Sequence, residues 1–132
     1  MKYITLIIGL LVVGLLSVGC GKKLTPEEEA LRASVVGEYE FKDKGYTHKL
    51  VFLENGVSEE YENSEKLGED KWSIVNGEIH IGALDDADVG NAIAIFRINK
   101  DRSITEVAMI RPNGRREDIP KEVQSSSLNK IK

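Results

Sequence analysis

The stretch DKWSIVNGEIHI, residues 70–81, decides the fold because it contains two short apolar alternations on either side of an Asn-Gly pair. Period-two alternation is typical of a half-buried β-strand. A type I′ turn requires positive φ at both central residues, and Asn and Gly adopt positive φ most readily. The sequence therefore predicts a two-stranded antiparallel hairpin that turns at Asn76-Gly77. The inward-facing residues of this hairpin are Trp72, Ile74, Ile79 and Ile81.

The same alternation continues along the chain in both directions. Before the hairpin it occupies residues 38–42, 46–53 and 57–62, and after it residues 91–98 and 104–110. Turn residues separate these runs, so successive strands are expected to be antiparallel neighbours. The predicted turns are Asp43-Lys44-Gly45, Glu54-Asn55-Gly56, Glu62-Asn63-Ser64, Asn99-Lys100-Asp101 and Pro112-Asn113-Gly114.

The regular spacing of strands and turns predicts a mainly β fold. It is a single antiparallel meander sheet of about seven strands, or eight if residues 115–119 also pair. We expect the sheet to close into a small barrel or sandwich, because closure removes exposed strand edges. The runs Asn91–Ile98 and Thr105–Ile110 are apolar on both faces, which favours the centre of the sheet or a position beneath a helix. In the third strand, Val57 and Tyr61 are the expected inward residues.

The segments outside the strands are also predictable. Thr25-Pro26-Glu27-Glu28 has the pattern of a capping box with Pro at the first helical position, so a short α-helix is expected from about Pro26 to Ala33, against the mouth or edge of the sheet. Residues 83–91 are expected to form an exposed loop. Residues 121–132 are expected to be a polar tail, although a helix spaced by Val123, Leu128 and Ile131 is the alternative.

The amino terminus has the pattern of an export signal. Lys2 precedes Ile4–Val18, a run without charged residues that also contains glycines. A positively charged start followed by a short apolar segment is typical of a signal peptide, whereas a membrane-spanning helix needs roughly 20 predominantly apolar residues. We therefore interpret residues 1–19 as a signal peptide, with an uncleaved membrane span as the competing interpretation.

Cys20 is the single cysteine of the chain and stands at the end of this segment. The stretch Leu15-Leu16-Ser17-Val18-Gly19-Cys20 resembles the lipobox of bacterial lipoprotein precursors. The resemblance implies that the Cys20 thiol receives a diacylglyceryl group and that cleavage occurs just before it. It also implies palmitate-type acylation and anchoring to the bacterial cell membrane or, since Gly21 rather than Asp follows Cys20, to the outer membrane.

The domain organisation follows from these patterns. After the signal peptide, residues 20–24 are a lipidated tether, residues 25–120 a helix plus antiparallel β domain, and residues 121–132 the tail. The sequence pattern of strands and turns, as in VVGEYEF and HKLVFLENG, is similar to that of small lipocalin-like bacterial lipoprotein domains. The net charge of −4 argues against nucleic acid as a partner, because phosphate binding depends on clustered Lys and Arg.

Three groups of residues are candidates for chemistry. Arg111, Arg115 and Arg116 form a basic cluster that could bind an anionic ligand or partner bidentately, or pair with the protein's own carboxylates. Asp85, Asp86 and Asp88 suggest weak calcium binding as an alternative to a solvated loop, because hard cations prefer several oxygen ligands. The two histidines, His48 and His80, are interpreted as ordinary sheet residues, with a metal site that includes Glu78 as the alternative.

No pattern of an enzyme nucleophile, phosphate loop or cofactor site is present in the sequence. The leading hypothesis is therefore a lipid-anchored, extracytoplasmic binding module without catalytic activity or cofactor, whose partner is a protein or a small apolar ligand. The alternative is a structural or stress-related envelope protein that interacts through its surface and has no ligand cavity. A hydrolase or metalloenzyme is a third possibility.

The anchor can be tested by metabolic labelling. Labelled palmitate should enter the wild-type protein and should be lost completely in Cys20→Ala, because that substitution removes the sulfur that carries the lipid. The measurement is radiolabel or alkyne label per mole of immunoprecipitated protein. Ser17→Ala is the matched control and should retain the label, since it keeps Cys20 and a small residue at position 17. Label in Cys20→Ala would exclude Cys20 as the attachment site.

Overall fold

The computed structural model describes residues 23–82 and 92–132 of the protein. Within these residues, one α-helix precedes nine β-strands, and a short 3-10 helix follows the eighth strand. Their bounds are α1 (Pro26–Val35), β1 (Gly37–Asp43), β2 (Tyr46–Phe52), β3 (Val57–Glu62), β4 (Glu65–Val75), β5 (Glu78–Ile81), β6 (Ile93–Ile98), β7 (Ile104–Ile110), β8 (Arg116–Asp118), the 3-10 helix (Lys121–Val123) and β9 (Asn129–Lys130).

The predicted antiparallel meander is confirmed. The described strands form one sheet in the order β8-β7-β6-β5-β4-β3-β2-β1-β9, and every neighbouring pair is antiparallel. The Asn76-Gly77 turn has φ values of 51° and 78°, as a type I′ hairpin requires. The pattern of turn residues was therefore a sound guide to which strands pair.

The expected closure into a barrel is wrong. The sheet remains open, with β8 and β9 as its two edges. β9 pairs with β1 over only two residues, Tyr39 with Lys130 and Glu40 with Asn129, and the approach to β7 is a single bridge between Ile104 and Leu128. Too few residues are available at this junction to form a continuous ladder, so the sheet curves without becoming a closed cylinder.

The long strand β4 pairs with a different neighbour in each part of its length. Its first part, up to Lys71, pairs with β3, whereas its second part, from Trp72 onward, pairs with β5. The first seven residues of β4 are exposed, and burial begins at Trp72. β4 therefore belongs to two successive parts of the sheet, and the exchange of partners occurs beside the most buried aromatic residue of the hairpin.

The helix is built and placed largely as the sequence indicated. Thr25 and Glu28 form a reciprocal capping box, and the helix extends two residues beyond the predicted end at Ala33, to Val35. Arg32 lies over the Trp72 ring, 4.5 Å from the ring centroid, and donates a hydrogen bond to the Glu54 carbonyl. These contacts hold α1 against β4 and the turn between β2 and β3.

The main hydrophobic core lies between the helix and the inward face of the sheet. Tyr39 and Phe52 meet edge to face with ring centroids 5.4 Å apart, and Phe52 meets Trp72 in the same way at 5.3 Å. Such aromatic pairs contribute about 0.5–1.5 kcal/mol beyond the burial of their area. The buried members of this core are Val35, Tyr39, Leu50, Phe52, Trp72, Ile74, Ile79, Phe96, Ile104 and Leu128.

The inward face of β3 differs from the expectation. Ser58 is 3% exposed, whereas Val57 and Tyr61, the predicted inward residues, are half-buried on the other face. The ring of Tyr61 is covered by Lys49 at 4.7 Å, which stabilises this aromatic side chain outside the core. The polar side of β3, which includes Ser58 and Glu60, consequently faces the concave side of the sheet.

The segment predicted as a polar tail is part of the fold. Leu128 is 3% exposed and exchanges two backbone hydrogen bonds of 2.9 Å with Ile104. Beyond β9, the Lys132 carbonyl accepts a hydrogen bond from the Glu38 amide. A Cβ on Gly37 would lie 2.1 Å from this carbonyl oxygen, so the close approach requires glycine. The sequence signal was weak because a single buried leucine stands among polar residues.

We expect Leu128→Ala to lower the free energy of unfolding by about 2–5 kcal/mol, because truncation of a buried leucine removes apolar burial and leaves a cavity. Urea unfolding of the full-length protein, followed by Trp72 fluorescence, measures this loss. The matched control, Val123→Ala, changes a residue that is 69% exposed and should alter stability by no more than about 0.5 kcal/mol. Equal small effects of the two substitutions would show that the segment is a tail.

Candidate ligand cavity

The concave side of the sheet forms a partly open cavity of about 380 Å³. Its lining residues come from six consecutive strands, β2 to β7. In a flat sheet, β2 and β7 would be separated by five strand spacings, or about 24 Å. The curvature of the sheet therefore creates the cavity by bringing distant strands to one place. The apolar part of its lining consists of Leu50, Leu67, Ile81, Ala92, Ala94 and Phe96.

A second cavity of about 220 Å³ adjoins the first. His48, Phe96 and Glu106 line both cavities and therefore mark the junction between them. The second cavity is also lined by Ser125, Ser126 and Leu128, so the C-terminal segment forms one of its walls. Together, the two spaces have room for a small organic molecule.

His48 and Glu60 form a polar pair at the junction. In the register of β2 and β3, Leu50 lies opposite Glu60 and His48 lies opposite Glu62, so His48 and Glu60 are diagonal neighbours on one face. The Nε2 atom of His48 is 2.8 Å from Oε1 of Glu60. The Glu60 carboxylate therefore engages one ring nitrogen of His48 and fixes the orientation of the imidazole at the cavity wall.

Glu106 is the second acidic group at the junction. It lies in β7, yet its electrostatic neighbours are Glu60 on β3 and His48 on β2. Burial raises the pKa of the Glu106 carboxyl above its ordinary value, and the neighbouring Glu60 carboxylate raises the pKa further, whereas His48 opposes the shift. A half-buried carboxyl group, Glu106, and an exposed one, Glu60, thus come together from remote parts of the sequence.

The remaining acidic residues of the larger cavity lie on the exposed first part of β4. Glu69 is paired with Lys66, and the Asp70 carbonyl accepts a hydrogen bond of 3.3 Å from the Ser58 hydroxyl. The Ser58–Asp70 hydrogen bond joins the β4 wall of the cavity to β3. The acidic character of the lining therefore extends from the junction to the rim.

The predicted basic cluster does not meet the cavity. Arg116 forms a bidentate pair with Glu78 at 2.7 and 3.1 Å and also binds Asp118 at 2.8 Å. Arg111 pairs with Glu117 at 2.8 Å. Arg115 is exposed at the adjoining turn. Arg111 and Arg116 therefore pair with the protein's own carboxylates, which was the alternative to binding an anionic ligand or partner.

The two histidines lie on opposite faces of the sheet. His48 lines the cavity, whereas His80 and Glu78 are on the other face, where Arg116 crosses to Glu78. Burial lowers the pKa of His80, Arg116 lowers it further and Glu78 opposes the shift. The structure therefore separates the residues of the alternative metal site, and no metal-binding group of three or more ligands occurs among residues 23–82 and 92–132.

Other candidates lie outside the described residues. This applies to Cys20, the predicted lipid attachment site, and to Asp85, Asp86 and Asp88, the alternative calcium ligands. Within the described ranges, no helix is both long and apolar enough to cross a membrane. The lipid anchor and the calcium site therefore stay predictions from the sequence.

Sequence reasoning missed Glu60 and Glu106 as site residues and treated His48 as an ordinary sheet residue. A signal for Glu106 existed, because it is the one charged residue within the apolar strand ITEVAMI, residues 104–110. A charged side chain at such a position rarely lies against a core without a specific reason. Glu60 gave no comparable signal, since it stands in a strand that is already rich in Glu.

Comparison with known proteins gives no family for this chain. No family model matches it, and neither the curated proteins nor the solved structures contain a significant match. The functional argument therefore depends on the geometry of the chain itself.

The raised pKa of Glu106 predicts a pH-dependent stability. The stabilising contribution of the protonated group is complete below the unfolded-state value of 4.5 and is lost as pH rises through the folded-state pKa. Glu106→Gln lacks this loss, so its free energy of unfolding should rise relative to wild type as pH increases above 4.5. Urea unfolding across this range measures the difference.

The control for this prediction is Glu65→Gln, which changes an exposed carboxylate of β4 that lines neither cavity. The pH dependence that belongs to the junction is the difference between the two variants. A Glu106→Gln stability difference that does not change with pH would show that the Glu106 pKa is not raised in the folded protein.

Proposed function

We propose that the protein is an exported, lipid-anchored module that binds a small ligand in the cavity on the concave side of its sheet, without catalysis. The observation that carries this proposal is the cavity itself. Its volume of about 380 Å³ lies in the range of small-molecule sites, and it is lined by both apolar and polar side chains. A solid interior would instead favour the interaction role of a structural envelope protein.

The arrangement of the polar groups supports binding over catalysis. The Nε2 atom of His48 is engaged by the Glu60 carboxylate at 2.8 Å, and no hydroxyl or thiol of the described residues forms a hydrogen bond with the imidazole, as activation of a nucleophile would require. The Ser58 hydroxyl is directed to the Asp70 carbonyl. His48 and Glu60 therefore serve to orient a ligand through hydrogen bonds.

The lipid anchor supplies the location in this proposal. Each buried methylene contributes about 0.8 kcal/mol to membrane attachment, so a diacylglyceryl group on Cys20 holds the protein stably where one acyl chain holds it marginally. The tether of residues 20–24 is short, and Thr25 begins the helix immediately after it. The binding domain consequently stays close to the outer side of the membrane, where it meets ligands of the envelope.

Native mass spectrometry of the full-length protein, purified in a mild detergent, tests this function. A co-purified ligand should appear as an adduct on the wild-type protein. Ala94→Phe should abolish the adduct, because the added ring fills the larger cavity from β6. The matched control, Val75→Phe, adds the same ring at a position that is 40% exposed and outside both cavities, and it should retain the adduct.

Two results would contradict the proposed function. An adduct that persists in Ala94→Phe, with the variant folded by circular dichroism, would place the ligand outside the cavity. The absence of an adduct from the wild-type protein would favour the envelope interaction protein over the ligand-binding module.

A further inference from the structure

We infer that the ligand of the cavity is a small organic cation, a primary ammonium group on a short apolar body. This inference rests on the proposed function and specifies its ligand class. It follows from three features of the cavity. These are the negative charge of its lining, the lack of a Lys or Arg partner for Glu106 among the described residues, and the apolar surface beside the acidic junction.

The charge of the lining has one sign. The acidic residues that line the larger cavity are Glu60, Glu69, Asp70 and Glu106. No Lys or Arg is among the described residues that line either cavity. A protein surface that is complementary to its ligand presents the opposite charge. An anionic ligand would be repelled by these four carboxyl groups, and a neutral ligand would gain no attraction from their charge.

Glu106 is the residue that a cation would satisfy. Glu69 already has Lys66 as its partner, and Glu60 has His48. Within the described part of the chain, Glu106 has no Lys or Arg in an ion pair, and its neighbours are Glu60 and His48. A half-buried carboxylate beside another carboxylate is unfavourable unless a positive charge compensates it. An ammonium group between Glu60 and Glu106 would make charge-assisted hydrogen bonds to both.

The rest of the cavity defines the body of the ligand. Leu50, Ile81 and Phe96 provide apolar surface next to the acidic junction. The adjoining smaller cavity continues this surface with Phe41 and Leu128. The volumes of about 380 and 220 Å³ limit the body to a small apolar group. The ammonium then lies at the junction, and the apolar body extends along one of the two spaces.

A matched series of three compounds tests the inference. Benzylamine, benzyl alcohol and benzoate share one apolar body and differ in the charge of the head group. Isothermal titration of the full-length protein in a neutral detergent should show saturable binding of benzylamine, at least tenfold weaker binding of benzyl alcohol, and no binding of benzoate. Ala94→Phe should abolish benzylamine binding, which places it in the cavity.

The contribution of the junction is tested by Glu106→Gln and Glu60→Gln. Each keeps the size of the side chain and removes the negative charge, and each should weaken benzylamine binding at least tenfold without strengthening benzoate binding. Glu65→Gln, at an exposed position outside both cavities, is the control and should bind benzylamine as the wild type does. Unchanged affinity in both junction variants would overturn the inference.

Other outcomes separate this inference from the proposed function. Equal binding of benzyl alcohol and benzylamine, abolished by Ala94→Phe, would overturn the cationic ligand class and leave the binding cavity in place. An adduct by native mass spectrometry without benzylamine binding would do the same.

A lysine side chain carries the same ammonium group, so Nα-acetyl-lysine N-methylamide is titrated in parallel. Tighter binding of this compound than of benzylamine would assign the site to a protein side chain and overturn the small-molecule ligand.

Discussion

The structure depends on the position of Trp72 at the point where β4 changes partners. Its indole ring contacts Phe52 edge to face at 5.3 Å, carries Arg32 on its face at 4.5 Å, and donates a hydrogen bond of 3.0 Å from Nε1 to the Leu53 carbonyl. One side chain therefore joins the helix, the core and the turn between β2 and β3. Because the polar atom of the ring is satisfied, the large apolar surface of Trp72 is buried without an unpaired donor.

The exposed first part of β4 also explains why the concave side of the sheet is polar in part. The first seven residues of β4 are exposed, and the adjacent strand β3 presents Ser58 and Glu60 inward. With few apolar side chains on this part of the inner face, the sheet cannot fill its own interior. The apolar core therefore occupies the end of the sheet near the helix, and the cavity occupies the end where carboxylates converge.

The sequence predicted local structure well because local structure depends on neighbouring residues. The Asn76-Gly77 turn and the Thr25–Glu28 capping box are short-range features, and both have the expected geometry. The encounter of Glu106 with Glu60 was not predictable, since it depends on how strongly several intervening strands bend. The same limit applies to closure of the sheet and to β9, in which two paired residues leave almost no alternation to detect.

The pairing of β9 with β1 has a consequence for how the protein reaches its native state. The Lys130 ammonium donates to the Ser34 carbonyl across 96 positions of sequence, and the neighbouring backbone pairs close a loop of similar length. Contacts between such distant segments form slowly, because the entropy lost in closing the loop precedes any gain. Until they form, the outer edge of β1 has free amide and carbonyl groups and offers a template for association with other chains. The refolding rate and yield should therefore depend on how quickly β9 pairs with β1.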